Sequence, residues 1–187
     1  MQQAYEKYLH EILIGEAVLQ ARVAELGAQI SKDYHHTDKL MLICILKGGV
    51  MFLTDLMRHI SVPHEIDFLS ISSYGKGARA STGNVRIDMD LRENVTDKHL
   101  LIVEDIIDTG HTLRFVIDML LAREPASLKL CSLLDKPARR TIPIPMDYIG
   151  FEIEDRFVFG YGLDLDEKFR NLPFIGVVKT EMLDSLA

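Results

Sequence analysis

The sequence predicts an α/β fold with a central, mostly parallel twisted sheet and helices on both faces, and three observations carry that prediction. Residues 41–46 and 100–103 are short, continuous apolar runs of the kind that strands buried on both faces require, and the largely apolar 128–134 reads as a strand again. Between them, Leu19, Val23, Leu26 and Ile30, then Phe52, Leu53, Leu56, Met57 and Ile60, then Leu113, Val116, Ile117, Leu120 and Leu121 recur at helical spacing. Glycines and prolines fall at the changes of period, at Gly48-Gly49, Pro63 and Pro125.

Taken in order, residues 16–34 form an amphipathic helix that covers one sheet face. Residues 41–46 form a strand closed by Lys47-Gly48-Gly49, a helix carries Phe52 to Ile60, and residues 65–72 form the next strand. Residues 100–103 begin a second unit, whose helix stops before Pro125 and whose returning strand spans 128–134. A further strand covers 148–153. Each strand-helix-strand unit demands parallel pairing and a right-handed crossover.

Composition narrows the function. The 187 residues, 48% hydrophobic and 26% charged, suit one globular domain over 1–187. No apolar run approaches the roughly 20 residues of a membrane span, and the first residues lack a secretory pattern, so the protein is expected in the cytoplasm. Cys44 and Cys131 lie in apolar runs without a metal-binding spacing and read as reduced core thiols. A net charge of -7, from 28 acidic and 21 basic residues, has the wrong sign for nucleic-acid backbones.

In a parallel sheet, ligands bind beyond the carboxyl ends of the strands. Four predicted strand ends carry suitable residues there: Lys47-Gly48-Gly49, Glu104-Asp105, Asp135-Lys136 and Asp155-Arg156-Phe157. The second of these opens the stretch L-L-I-V-E-D-I-I-D-T-G-H-T-L at 100–113, where three carboxylates interrupt a run that is otherwise building core. Asp108-Thr109-Gly110-His111-Thr112 lies where a strand meets a helix start, and free N–H groups, the helix dipole and two hydroxyls make that a phosphate cradle. No Walker A pattern occurs. Glu104 and Asp105 would repel a phosphate, but carboxylates accept the hydrogen bonds that vicinal ribose hydroxyls donate. A ribose phosphate is the ligand implied.

The stretch V-E-D-I-I-D-T-G-H-T-L resembles the phosphoribosyl-pyrophosphate signature of the type I phosphoribosyltransferases, and more narrowly of the hypoxanthine-guanine phosphoribosyltransferases. L-K-G-G at 46–49, S-S-Y-G at 72–75, L-L-D-K-P at 133–137 and G-F-E-I-E-D-R-F-V-F-G-Y-G-L-D at 150–164 resemble further elements of that family in the same order, covering nearly the whole chain. The resemblance implies a core sheet plus a small hood built from the N-terminal segment and residues 150–187, with a mobile lid at 74–83. It implies magnesium-dependent transfer of the phosphoribosyl group to hypoxanthine or guanine, giving IMP or GMP and pyrophosphate, in a homodimer or homotetramer.

Roles carry over residue by residue. Glu104 and Asp105 would hold the ribose hydroxyls directly or through magnesium, and Asp108, Thr109, Gly110, His111 and Thr112 the 5′-phosphate. Lys47 and Gly48 would present backbone to the pyrophosphate, where the family often has a cis peptide. Ser73 and Tyr74 would border it, Arg170 would pair with it, and Asp164 would hold a magnesium ion attached to it. Phe157 would stack on the purine, the Val158 backbone would meet its edge, and Lys136 would donate to its 6-oxo group. Asp108 would take a proton from the purine as the glycosidic bond forms. His111 stands at a position the family leaves variable.

Each residue has a plainer reading. Lys136 suits a solvated turn, Arg170 a surface charge, Phe157 and Val158 core, and Asp108-Thr109 a helix cap. Residues 75–80 fit a loose dinucleotide pattern, G-x-G-x-x-A, but no helix follows. Residues 74–83 could be an ordinary exposed loop. L-L-I-V-E-D also resembles a receiver-domain strand end, although too little chain follows for that fold; a ligand-binding regulator without chemistry is the other rival.

Overall fold

Side chains on successive strand residues point to opposite faces, and this alternation sorts the core into two layers. A computed structural model describes residues 4–73 and 85–183. Its elements are β1 (Leu9–Ile14), α1 (Glu16–Asp33), β2 (Leu40–Leu46), α2 (Val50–Arg58), β3 (His64–Ser73), β4 (Val85–Met89), β5 (His99–Ile107), α3 (His111–Leu121), β6 (Ser127–Asp135), β7 (Tyr148–Glu152), β8 (Val158–Phe159), β9 (Ile175–Val178) and α4 (Thr180–Leu183), with a 3-10 turn at Pro137–Arg139. On β2, Leu40, Leu42 and Cys44 pack with Leu19, Val23 and Leu26 of α1 and Phe52 and Leu56 of α2. Met41, Ile43 and Ile45 pack with Leu113, Val116, Ile117 and Leu120 of α3. Helices therefore cover both faces. Each fully buried side chain of this size contributes about 1.5–3 kcal/mol.

The main sheet runs β4-β3-β2-β5-β6-β7 and is parallel except for the β3–β4 pair. From β2 the chain crosses by α2 to β3 on one side, and from β5 by α3 to β6 on the other, so the order reverses between β2 and β5. That reversal opens a crevice at their carboxyl ends.

A second, antiparallel sheet, β1-β9-β8, forms the hood over a separate cluster of Phe159, Leu165, Leu172, Phe174 and Val178. The hood is smaller than the sequence implies. Residues 148–152 belong to the main sheet, because Tyr148, Ile149, Phe151 and Glu152 pair with β6. The strands β1, β4, β8 and β9 escape pattern reading: β8 has two residues and β9 four, too short to show a period. Cys44 and Cys131 are buried free thiols, as expected. The expected lid at 74–83 lies outside the described residues.

Candidate active site

The crevice between β2 and β5 holds a cavity of about 360 Å³ lined by Lys47, Gly48, Glu104, Asp105, Asp108, Thr109, Gly110, Thr112, Asp164 and Arg170, among others. The turn after β2 sits directly against the acidic pair. A Cβ on Gly48 would overlap the Asp105 carboxylate, so no other residue fits there without moving it. Gly162, at φ 101°, packs as closely on the Gly48 carbonyl and seats the hood on the turn. A cis peptide bond is present, between Leu46 and Lys47.

Glu104 and Asp105 lie within β5, which is a correction to the sequence reading that ended this strand before them. The strand continues because β6 keeps pairing with it, Glu104 opposite Ser132 and Ile107 opposite Asp135, after β2 has stopped at the Cys44–Val103 pair. Burial, and then the Asp105 charge, hold the Glu104 carboxyl well above the usual carboxylate range. Burial likewise pushes Asp105 up to about 6, against the opposing pull of the Ile106 N–H, which donates to Asp105 Oδ1 at 2.9 Å. Glu104 Oε2 is buried without a hydrogen-bond partner. Such a pair invites a cation or donor groups from a ligand. Among the described residues, no three His, Cys, Asp or Glu side chains form a metal cage. A magnesium ion fits this donor set in its usual manner, held by one or two carboxylates with substrate oxygens completing its shell.

The loop at 108–112 departs from a simple cap. α3 begins at His111 after Gly110, at φ 92°, and among the described residues no side chain caps it, so its first N–H groups are left for a ligand. The loop is braced from behind by residues 140–142. The Thr141 and Ile142 N–H groups donate to the Thr109 carbonyl at 3.1 and 3.3 Å. Arg140 donates through Nε to the Asp108 carbonyl at 3.0 Å and pairs with buried Asp135. The His111 ring turns to Thr141 Oγ1, with Nε2 at 3.2 Å from it.

A second cavity, of about 430 Å³, is lined by Asp108, Lys136, Arg139, Asp155, Phe157 and Leu183. Lys136 is 7% exposed, which overturns the solvated-turn reading, and burial pulls its ammonium below the usual lysine value. Its N–H donates to the Ile107 carbonyl at 3.0 Å, tying it to the base of the phosphate loop. Phe157 is 48% exposed, so it is not core, while the Val158 side chain is buried. The Phe157 carbonyl accepts from Val178 N–H, and strand alternation turns the Val158 N–H and carbonyl to the free edge of the hood sheet. Asp108 is the residue common to both cavities.

Arg170 spans hood and crevice: Nη1 donates to the Gly162 carbonyl at 2.9 Å and Nη2 pairs with Asp164 Oδ1 at 3.0 Å. Lys47 Nζ reaches Glu167 at 2.8 Å. Ser73 is the last residue of β3, and Tyr74 lies outside the described residues. Sequence reasoning missed Arg139 and Arg140, and left Asp155 as one polar strand end among others. Two adjacent arginines one turn past Lys136-Pro137 were the available signal.

The profile of the phosphoribosyl transferase domain family matches residues 10–168. The chain is 49% identical over 178 residues to a hypoxanthine phosphoribosyltransferase of Haemophilus influenzae, covering 94% of this chain and 99% of the relative. It is 48% identical over 173 residues to that of Escherichia coli, covering 92% and 97%. A crystal structure of a Staphylococcus aureus hypoxanthine phosphoribosyltransferase superposes with a TM-score of 0.92 at 44% identity, over 97% of this chain and 98% of that one.

Proposed function

From a chain that belongs to the phosphoribosyl transferase domain family, and within it to the hypoxanthine phosphoribosyltransferases, we propose a purine-salvage enzyme that joins hypoxanthine or guanine to the phosphoribosyl group of phosphoribosyl pyrophosphate. The observation that carries this is the placement of Asp108 on both cavities, one lined by an acidic pair and a phosphate loop, the other by a buried lysine and an aromatic ring. The sugar phosphate occupies the first and the purine the second, so the new glycosidic bond forms beside Asp108.

In this reading the free N–H groups of 109–112 bind the 5′-phosphate, and Glu104 and Asp105 hold the ribose hydroxyls. The turn at Lys47 and Gly48, with Ser73 and Tyr74 bordering it and Arg170 pairing with it, receives the pyrophosphate. Magnesium, when bound by Glu104, Asp105 or Asp164, neutralises charge on the leaving pyrophosphate. Asp108 accepts the proton that the purine sheds as its ring nitrogen bonds to the sugar carbon. Phe157 stacks on the base, the Val158 main chain meets its edge, and the hood excludes water. The protein works in the cytoplasm as a homodimer or homotetramer; the half-buried Met51 and Met57 on α2 support an interface there.

The test is an assay of hypoxanthine, guanine, xanthine and adenine with phosphoribosyl pyrophosphate and magnesium. Nucleoside monophosphate and pyrophosphate should form from hypoxanthine or guanine, and not from adenine. No turnover with any 6-oxopurine refutes the reading.

Lys136 supplies the reason for excluding adenine. An ammonium has donors and no acceptor, so it suits a 6-oxo group and meets a 6-amino group donor to donor. Being largely buried, it has little water to turn to instead. Replacing Lys136 with Gln introduces an oxygen that can accept from the amino group. The ratio of kcat/KM for hypoxanthine over adenine should fall about 10-fold or more, consistent with the 1–3 kcal/mol cost of an unpaired buried donor. An unchanged ratio means that Lys136 does not read the 6-position.

A further inference from the structure

Four charged side chains alternate in sign along the second cavity. Lys136 Nζ lies 3.8 Å from Asp155 Oδ1, Asp155 Oδ2 lies 3.4 Å from Arg139 Nη1, and Arg139 Nε lies 2.5 Å from Asp108 Oδ1. They arrive from different places: Asp108 follows β5, Lys136 follows β6, Arg139 ends the 3-10 turn, and Asp155 follows β7. The two ends of this row, Lys136 and Asp108, are the groups assigned to the 6-oxo group and to the departing proton of the purine. The middle two have no role in that assignment.

The row is built to hold its ends apart. The Asp108 main chain is already fixed, since Arg140 holds its carbonyl and braces that grip on Asp135. What remains free is rotation of the Asp108 carboxylate. Lys136 feels the attraction of both Asp108 and Asp155, and Asp155 is the one within ion-pair distance. Two opposite charges that line one partly desolvated cavity attract each other, and a rotation of the carboxylate toward the ammonium would pair them when nothing intervenes. A carboxylate paired with Lys136 could not accept a proton from the purine, and the lysine could not donate to its 6-oxo group.

We infer that Arg139, seated on Asp155, is a positioning residue that keeps the Asp108 carboxylate from collapsing onto Lys136, so that both stay available to the purine. This rests on the reading of Asp108 and Lys136 given above. Arg139 acts through those two residues, and its carboxylate partners are half-exposed, so as a plain surface ion pair it would contribute almost nothing.

The experiment compares wild type with Arg139→Gln and Arg139→Lys, measuring kcat, KM for hypoxanthine, KM for phosphoribosyl pyrophosphate, and the hypoxanthine-over-adenine ratio. Arg139→Gln should lose about 10- to 100-fold in kcat/KM for hypoxanthine and lower the ratio, while KM for phosphoribosyl pyrophosphate stays within about twofold. Arg139→Lys keeps a cation for Asp108 and should recover most of the loss. The inference is overturned by an Arg139→Gln enzyme within about twofold of wild type, by equal losses for both substrates, or by no recovery in Arg139→Lys. Failure of the underlying reading looks different, because the wild type itself would then make no nucleotide.

Discussion

Replacing Asp108 with Asn is expected to lower turnover of hypoxanthine by about 10²- to 10⁴-fold, the contribution typical of a positioned general base. Asn keeps the size of the side chain and an oxygen that can still accept from Arg139 Nε, but it has no basic oxygen to receive the purine proton. The loop backbone is held separately by Arg140, Thr141 and Ile142, so the phosphate cradle should survive. Affinity for phosphoribosyl pyrophosphate, measured by calorimetry, should accordingly change little. Undiminished turnover removes Asp108 from the base role.

A second large effect is expected from Glu104→Gln combined with Asp105→Asn. The two carboxylates are adjacent and half-buried, and Glu104 Oε2 has no hydrogen-bond partner among the described residues, an arrangement that burdens the free protein. Binding of phosphoribosyl pyrophosphate in the presence of magnesium should weaken about 10²-fold or more, since charge-assisted hydrogen bonds and the cation's donors are lost together. The same change should stabilise the ligand-free fold. Carboxyls raised by burial bind protons more readily folded than unfolded, so stability falls as pH climbs from the ordinary carboxylate range near about 4 toward about 6, where Asp105 has been pushed. Amides escape that loss. At neutral pH the melting temperature of the double variant should rise by about 2–4 °C for each kcal/mol recovered. Wild-type affinity in calorimetry would remove both residues from ribose and metal binding; an unchanged melting temperature would show that the charges impose no strain.

The acidic pair was legible in sequence because two charges placed directly after the apolar run Leu100 to Val103 contradict the rest of the strand and demand a partner. Helices α1, α2 and α3 were legible for the complementary reason, that their apolar spacing is regular over several turns. Arg139 and Arg140 carry no such local contradiction. Their partner Asp108 is 31 and 32 residues away, and only the parallel register of β5 and β6 brings it near. The plainer reading of Lys136 as a solvated turn fails for a related cause: its burial arises where the ends of β5 and β6 meet residues 153–157, which no short window contains. The hood was invisible as a sheet because β1 and β9 lie some 160 residues apart and β8 is two residues long.

That separation has a consequence in time. All six strands of the main sheet lie between residues 40 and 152, so the sugar-phosphate side has its scaffold early as the chain emerges from the ribosome. Of these strands β1 emerges before the main sheet and then waits, its neighbour β9 being Ile175–Val178, and among the described residues β8 pairs with β9 alone. Phe157 and Val158, on the purine side, are therefore set only when the last strand arrives and pairs with the first. The sheet that carries the acidic pair and the phosphate loop is complete before Asp164, Arg170 and the last hood strand follow, so competence to transfer coincides with closure of the hood.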